Sequence, residues 1–130
     1  PAEFNRPQNL VMDESDRLWV ADSCNHRVQV FDTRATTPEL VTTWGTPGTG
    51  PGELKYPYDI VLDSRGHVYL CEFGNHRVQK FTLDGKWLAA WGQPGRREGE
   101  LHNPWGCARD RSGRLHVLDS MNHRIQRIAL

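Results

Sequence analysis

The phrase CNHRVQVF (24–31) returns as GNHRVQKF (74–81) and again as MNHRIQRI (121–128), and nothing else constrains the fold of this 130-residue chain so strongly. Aligned on it, Asn25, Asn75 and Asn122 stand 50 and 47 residues apart. Pro7, Pro57 and Pro104 keep the same two intervals, as do Asp13, Asp63 and Asp110, and Trp44-Gly45 precedes Trp91-Gly92 by 47. One unit is therefore written almost three times. A unit of this size cannot bury its own apolar face, so neighbouring copies must stack.

The units read as short strands. In the second, YDIVLD (58–63), HVYLCE (67–72), RVQKFT (77–82) and KWLAAW (86–91) are rich in β-branched, aromatic and apolar residues. Ser64-Arg65-Gly66 and Leu83-Asp84-Gly85 between them are hairpin-turn sequences. The place of Gly66 is taken by Gly113 in the third unit and by Asp16 in the first, which suits a backbone position of positive φ. No segment has helical period and length. Four antiparallel strands in about 40–50 residues make a propeller blade.

On these residues the chain resembles the NHL repeat: a proline, a short apolar strand and turn, then VADSCNHRVQVFD (20–32) and a strand closing on Trp-Gly. The resemblance covers essentially the whole chain. It implies an all-β fold of four-stranded β-propeller blades, with units at 1–54, 55–101 and 102–130. The third unit stops after its third strand, so it lacks its outer one. Three blades do not close a ring, since propellers take about four to eight. The expectation is half of a six-bladed ring, completed within a longer protein or by self-association. Residues 1–50 carry net charge −3 and residues 96–130 net +3, which is compatible with closure between chains.

The repeated phrase reads as architecture. Asp22, Glu72 and Asp119 end the second strand of each unit, and Arg27, Arg77 and Arg124 begin the third five residues later, placing them opposite one another across a hairpin. As exposed pairs they would contribute about 0.2–1 kcal/mol each. Asn25, Asn75 and Asn122 supply turn residues tolerant of left-handed backbone. His26, His76 and His123 lie in separate blades, too far apart to converge on one metal at the roughly 2 Å of zinc ligation. Cys71 and Cys107 fall at apolar repeat positions, and Cys24 lies in a turn. GTPGTGPGELKY (45–56) lacks the Gly-Lys-[Ser/Thr] of a phosphate loop. The chain thus presents no catalytic constellation, metal set or cofactor motif.

Binding is expected where the interblade loops TPGTGPGELKYP (46–57) and QPGRREGELHNP (93–104) open beside the Asn-His-Arg turns. Gln8, Tyr58 and Trp105 follow the repeated prolines there, ringed by Arg6, Lys55, Tyr56, Arg96, Arg97, His102 and Asn103. Aromatics beside arginine and asparagine suit a protein, peptide or glycan partner. RNA is an alternative implied by the resemblance, against which stands the formal net charge of zero. A propeller hydrolase or lyase is another. The inner strands hold none of the histidines of the peptide-amidating lyase that the family's architecture brings to mind, although Asn9 and Asp59 stand where propeller lactonases place ligands. No apolar run approaches the length of a membrane span. Arg109 (apolar at Met12 and Leu62) and His116 (aromatic at Trp19 and Tyr69) break the repeat.

Overall fold

In each blade the first strand ends at an aspartate that folds the following hairpin. Asp13 Oδ1 accepts the backbone N–H of Ser15 and of Arg17, and Asp63 and Asp110 do the same for Arg65 with His67 and Ser112 with Arg114. Asp16, Gly66 and Gly113 follow at φ 59°, 83° and 82°, as the Gly/Asp substitution implies. In the computed structural model, which describes residues 3–128, these turns join β1 (Asn9–Met12) to β2 (Arg17–Asp22), β5 (Pro57–Leu62) to β6 (His67–Glu72), and β9 (Gly106–Arg109) to β10 (Leu115–Asp119). The remaining strands are β3 (Arg27–Asp32), β4 (Glu39–Trp44), β7 (Arg77–Thr82), β8 (Trp87–Trp91) and β11 (Arg124–Ile128).

The sheets run β1-β2-β3-β4 and β5-β6-β7-β8, with β9-β10-β11 as the third among the described residues. Within these sheets the strands pair antiparallel, and bulges at Val30/Phe31 and Lys80/Phe81 twist the outer edges of the two complete blades. The chain is all-β and built of propeller blades. No helix among the described residues is long and apolar enough to cross a membrane.

The cores lie between blades. Trp19, Ala21, Val28 and Val30 of the first blade meet Leu54, Ile60, Val68, Leu70 and Phe81 of the second. Tyr69 and Val78 of the second meet Leu115 and Val117 of the third, with Leu101 between them. The interblade loops fold back so that Leu54 and Leu101 enter these seams fully buried. The recurring Trp-Gly follows from this. A Cβ on Gly45 would stand 2.7 Å from Leu54 Cδ1, one on Gly92 2.7 Å from Leu101 Cδ1, and both glycines have positive φ. On the outward faces the equivalent positions are bare: Leu10 is 59% exposed where Ile60 is 3%, and Ile125 is 68% exposed where Val28 and Val78 are 0%.

Candidate functional site

Two ends of the blades differ in chemistry. The loop end carries the Asn-His-Arg turns and the interblade loops; the turn end carries the Asp13, Asp63 and Asp110 hairpins.

At the loop end, Asp22, Glu72 and Asp119 are each fully buried. Glu72 receives Asn75 Nδ2 at 2.8 Å, Arg77 Nε at 2.7 Å, Gln79 Nε2 at 2.7 Å and the Lys55 N–H at 3.0 Å. Asp22 receives Asn25, Arg27, Gln29 and the Asn5 N–H, and Asp119 receives Asn122, Arg124, Gln126 and the His102 N–H. The expected exposed pairs are therefore buried networks, because the interblade loop lies over them. Arg77 donates outward to the carbonyls of Thr49, Gly50 and Glu53, and Arg124 to those of Arg97 and Glu100. Burial alone would raise the pKa of Asp22 and Asp119, but these hydrogen bonds outweigh it and both lie below the usual carboxylate range.

The turn's left-handed residue is the histidine rather than the asparagine: His26, His76 and His123 have φ 53–54°. The asparagine is absent from the left-handed residues and its side chain donates to the carboxylate instead. The histidine ring then reaches the next blade. His26 Nδ1 accepts the Tyr56 N–H at 3.1 Å, and His76 Nδ1 accepts the Asn103 N–H at 2.9 Å. Burial, helped by His102 and Lys55, lowers the pKa of His76 and favours this neutral acceptor. The repeated phrase thus ties each blade to the loop before it and, in the first two copies, to the blade after it. Sequence reasoning missed the histidine and glutamine roles; the signal was Gln29, Gln79 and Gln126 recurring at a strand position that ought to be apolar.

Tyr58 and Trp105 come together beyond this network. A bulge between Pro57 and Asp59 leaves Tyr58 out of the ladder and turns it toward Phe73. The two rings stack at 4.4 Å and 16°, and Trp105 meets Tyr58 edge-on at 5.1 Å and Phe73 at 5.8 Å. Trp105 remains 53% exposed. Phe73 has no repeat-motif signature and escaped the sequence reading. Tyr56 packs on His26 at 4.7 Å, His102 on His76 at 5.4 Å, and Asn103 donates to the Phe73 carbonyl. Lys55 lies under the Gly74 turn. Arg96 instead lines a separate cleft with the 121–124 turn, and Arg97 caps the loop through Glu100. Arg6 and Gln8 occupy the corresponding places on the first blade, where Gln8 N–H bonds the Ala21 carbonyl.

At the turn end, the second oxygen of each hairpin aspartate takes one more side chain. Trp19 Nε1 donates to Asp13 at 2.9 Å, Tyr69 OH to Asp63 at 3.1 Å, and His116 Nε2 meets Asp110 at 2.9 Å. His116 therefore does the job of the aromatic residues it replaces. Burial and the bond to Asp63 push the Tyr69 phenol up to about 12. Among the described residues, no group of three or more His, Cys, Asp or Glu side chains is placed to hold a metal ion.

The model of the NHL repeat matches residues 4–31 and 54–81. The chain carries NHL repeats. A 32-residue stretch is 53% identical to NHL repeat-containing protein 3 of Homo sapiens, covering 25% of this chain and 9% of that protein, and the Mus musculus protein matches equally. Among solved structures, a catalytically inactive virginiamycin B lyase from Staphylococcus aureus with quinupristin matches at TM-score 0.75 and 16% identity, over 99% of this NHL chain and 40% of the other. An auxiliary nutrient binding protein from Bacteroides thetaiotaomicron gives 0.73 and 17%, over 92% and 36%. A chain of a nidogen/laminin complex gives 0.71 and 22%, over 98% and 45%. The NHL chain spans less than half the length of each, and at these identities the likeness is one of fold.

Proposed function

We propose that this NHL-repeat chain is a non-catalytic scaffold that holds a protein or peptide partner at its loop end. The observation that carries this is the cluster of Tyr58, Phe73 and Trp105, three aromatic rings in mutual contact with the indole half in solvent. A monomer has no structural need to leave that much aromatic surface open, and such clusters dominate interface energetics. Asn103, whose side chain donates to the Phe73 carbonyl, sets a polar residue at its border. The inter-ring geometry is fixed before a partner arrives, which reduces the ordering cost of binding.

Peptides selected from a displayed library against the chain provide the test. Their affinity is expected to fall by at least about tenfold on Trp105→Ala or Tyr58→Ala, the size of a hot-spot truncation. Selected peptides that bind wild type and both variants equally would sink the assignment of this surface.

The three units, 1–54, 55–101 and 102–130, form one partial propeller domain of a six-bladed ring in this reading. Its support is the bare apolar faces at Leu10 and Met12 on one side and at Leu118 and Ile125 on the other. Arg6 shares its left-handed backbone with Tyr56 and Asn103, the donors to His26 and His76, and so matches the exposed His123 as a closing partner. Light scattering separates the ways to close. Twice the 14.9 kDa chain mass marks closure between copies, and a monomer of the single-chain mass rejects it.

A further inference from the structure

The two interblade seams carry different residues at equivalent places near the turn end. Between the first and second blades these places hold Trp19, Val30, Leu62 and Ser64, and the first three pack into the dry core. Between the second and third blades the corresponding residues are Tyr69, Lys80, Arg109 and Arg111. Three positions have become cationic together, and they line a cleft of about 350 Å³. Arg65, from the neighbouring hairpin, adds a fourth cation to its lining.

None of these four cations is in an ion pair among the described residues. The one carboxylate lining the cleft, Asp63, is committed to His67 Nδ1, Tyr69 OH and the backbone N–H groups of Arg65 and His67. Lys80 Nζ stands 5.6 Å over the Tyr69 ring, which gives the ammonium a face to rest on and no counter-charge. Like charges gathered in a concave space repel one another, and an anion with several acceptor oxygens relieves that repulsion. Guanidinium forks bind phosphate-type oxyanions, like carboxylates, through paired N–H donors. Three or four cations around one space suit a group that carries several acceptor oxygens and more than one negative charge. The cleft at the turn end of the first seam, about 380 Å³, has an apolar lining of Val11, Met12, Leu62 and Leu83. The charged groups on it are three carboxylates, Asp13, Glu14 and Asp63, against the single cation Arg109.

We propose that the cleft between the second and third blades binds a small phosphorylated or sulfated ligand, its oxyanion held by Lys80, Arg109 and Arg111 and its body seated over Tyr69. The site lies at the opposite end of the blades from Trp105 and is independent of the partner surface there.

Calorimetric titration of the chain with glucose 6-phosphate and glucose 6-sulfate, at constant ionic strength, tests this. Saturable binding of at least one probe at one site is expected, and the tighter probe names the ester class. Lys80→Val and Arg109→Leu install the residues of the first seam, so they favour folding, and each is expected to weaken binding about tenfold, as the loss of a charge-assisted contact does. Arg96→Ala/Arg97→Ala, at the loop end, is expected to change nothing. In wild type, amide shifts on titration should centre on Ser112 and Gly113. Absence of saturation for both probes, equal loss on the Arg96/Arg97 variant, or shifts centred on Trp105 would each overturn the assignment.

Discussion

The first and second interblade seams are made from the same repeated unit, yet they agree at one end and part at the other. At the loop end both have a buried leucine beneath a Trp-Gly step and a histidine accepting an N–H from the next blade. At the turn end the first seam packs Trp19, Val30 and Phe81 into its core, while the second presents Tyr69, Lys80 and Arg109 to a cationic cleft. Phe81 against Trp44 in the first becomes Ile128 beside Trp91 in the second, a smaller filling. The loop end is where each element of the repeat satisfies another element's polar groups, so a change there leaves a buried charge unpaired. The turn end satisfies itself within each hairpin, and that independence lets the seam residues vary.

Moving one residue between seams breaks the comparison most severely. Val30→Lys puts an ammonium into the dry seam at a place 1% exposed. Buried lysines lose about 3–5 pKa units at about 1.4 kcal/mol each, so a loss of about 4–7 kcal/mol is expected in denaturant unfolding. The reverse change, Lys80→Val, removes a half-buried cation from an open cleft and should stabilise by about 1 kcal/mol through added apolar burial. Effects of equal size in the two directions would mean that the seams do not differ as described.

The second test concerns the end that the seams share. Arg77 is 12% exposed in its side chain and Glu72 is 0%. Arg77→Met strands a buried carboxylate and frees three loop carbonyls, which is expected to cost about 3–5 kcal/mol. Arg27 and Arg124 make the same pair with side chains 24% and 31% exposed, so their methionine variants should lose less. Urea midpoints for the three variants rank them directly, and a flat ranking would show that burial of the arginine does not set the size of the effect.

How far the sequence carried this picture depended on how local each interaction is. The Asp13, Asp63 and Asp110 hairpins and the pairing of Asp22 with Arg27 lie within a few residues, and spacing alone locates them. Burial of the same carboxylates was not legible, since the covering carbonyls of Thr49 and Glu53 come from 24–28 residues before Arg77. The histidine's backbone and its bond to the next blade are equally non-local. His116 looked like a break in the repeat because tryptophan, tyrosine and histidine share no class except as donors to one aspartate. At the candidate partner surface, Tyr58 and Trp105 were found because repeated prolines mark them, and Phe73 was missed because only the Tyr58 bulge brings it there.

The smallest expected effect bears on the joint between the second and third blades. His76 accepts the Asn103 N–H only as neutral imidazole, and burial with His102 and Lys55 nearby holds its pKa below the ordinary value. The unfolded chain takes up a proton near pH 6.5 while the folded chain still refuses it. Stability from this bond is therefore whole above about pH 6.5 and is lost as pH falls through the depressed folded pKa. Urea midpoints followed downward from about pH 7.5 should drop over that window in wild type, and the drop should shrink in His76→Ala. Aspartates such as Asp22 and Asp119 act lower still, since their depressed pKa values keep their contribution intact until the pH passes below about 4. The two processes separate on the pH axis. A His76→Ala profile parallel to wild type above that range would remove His76 as the group that couples the blades to pH.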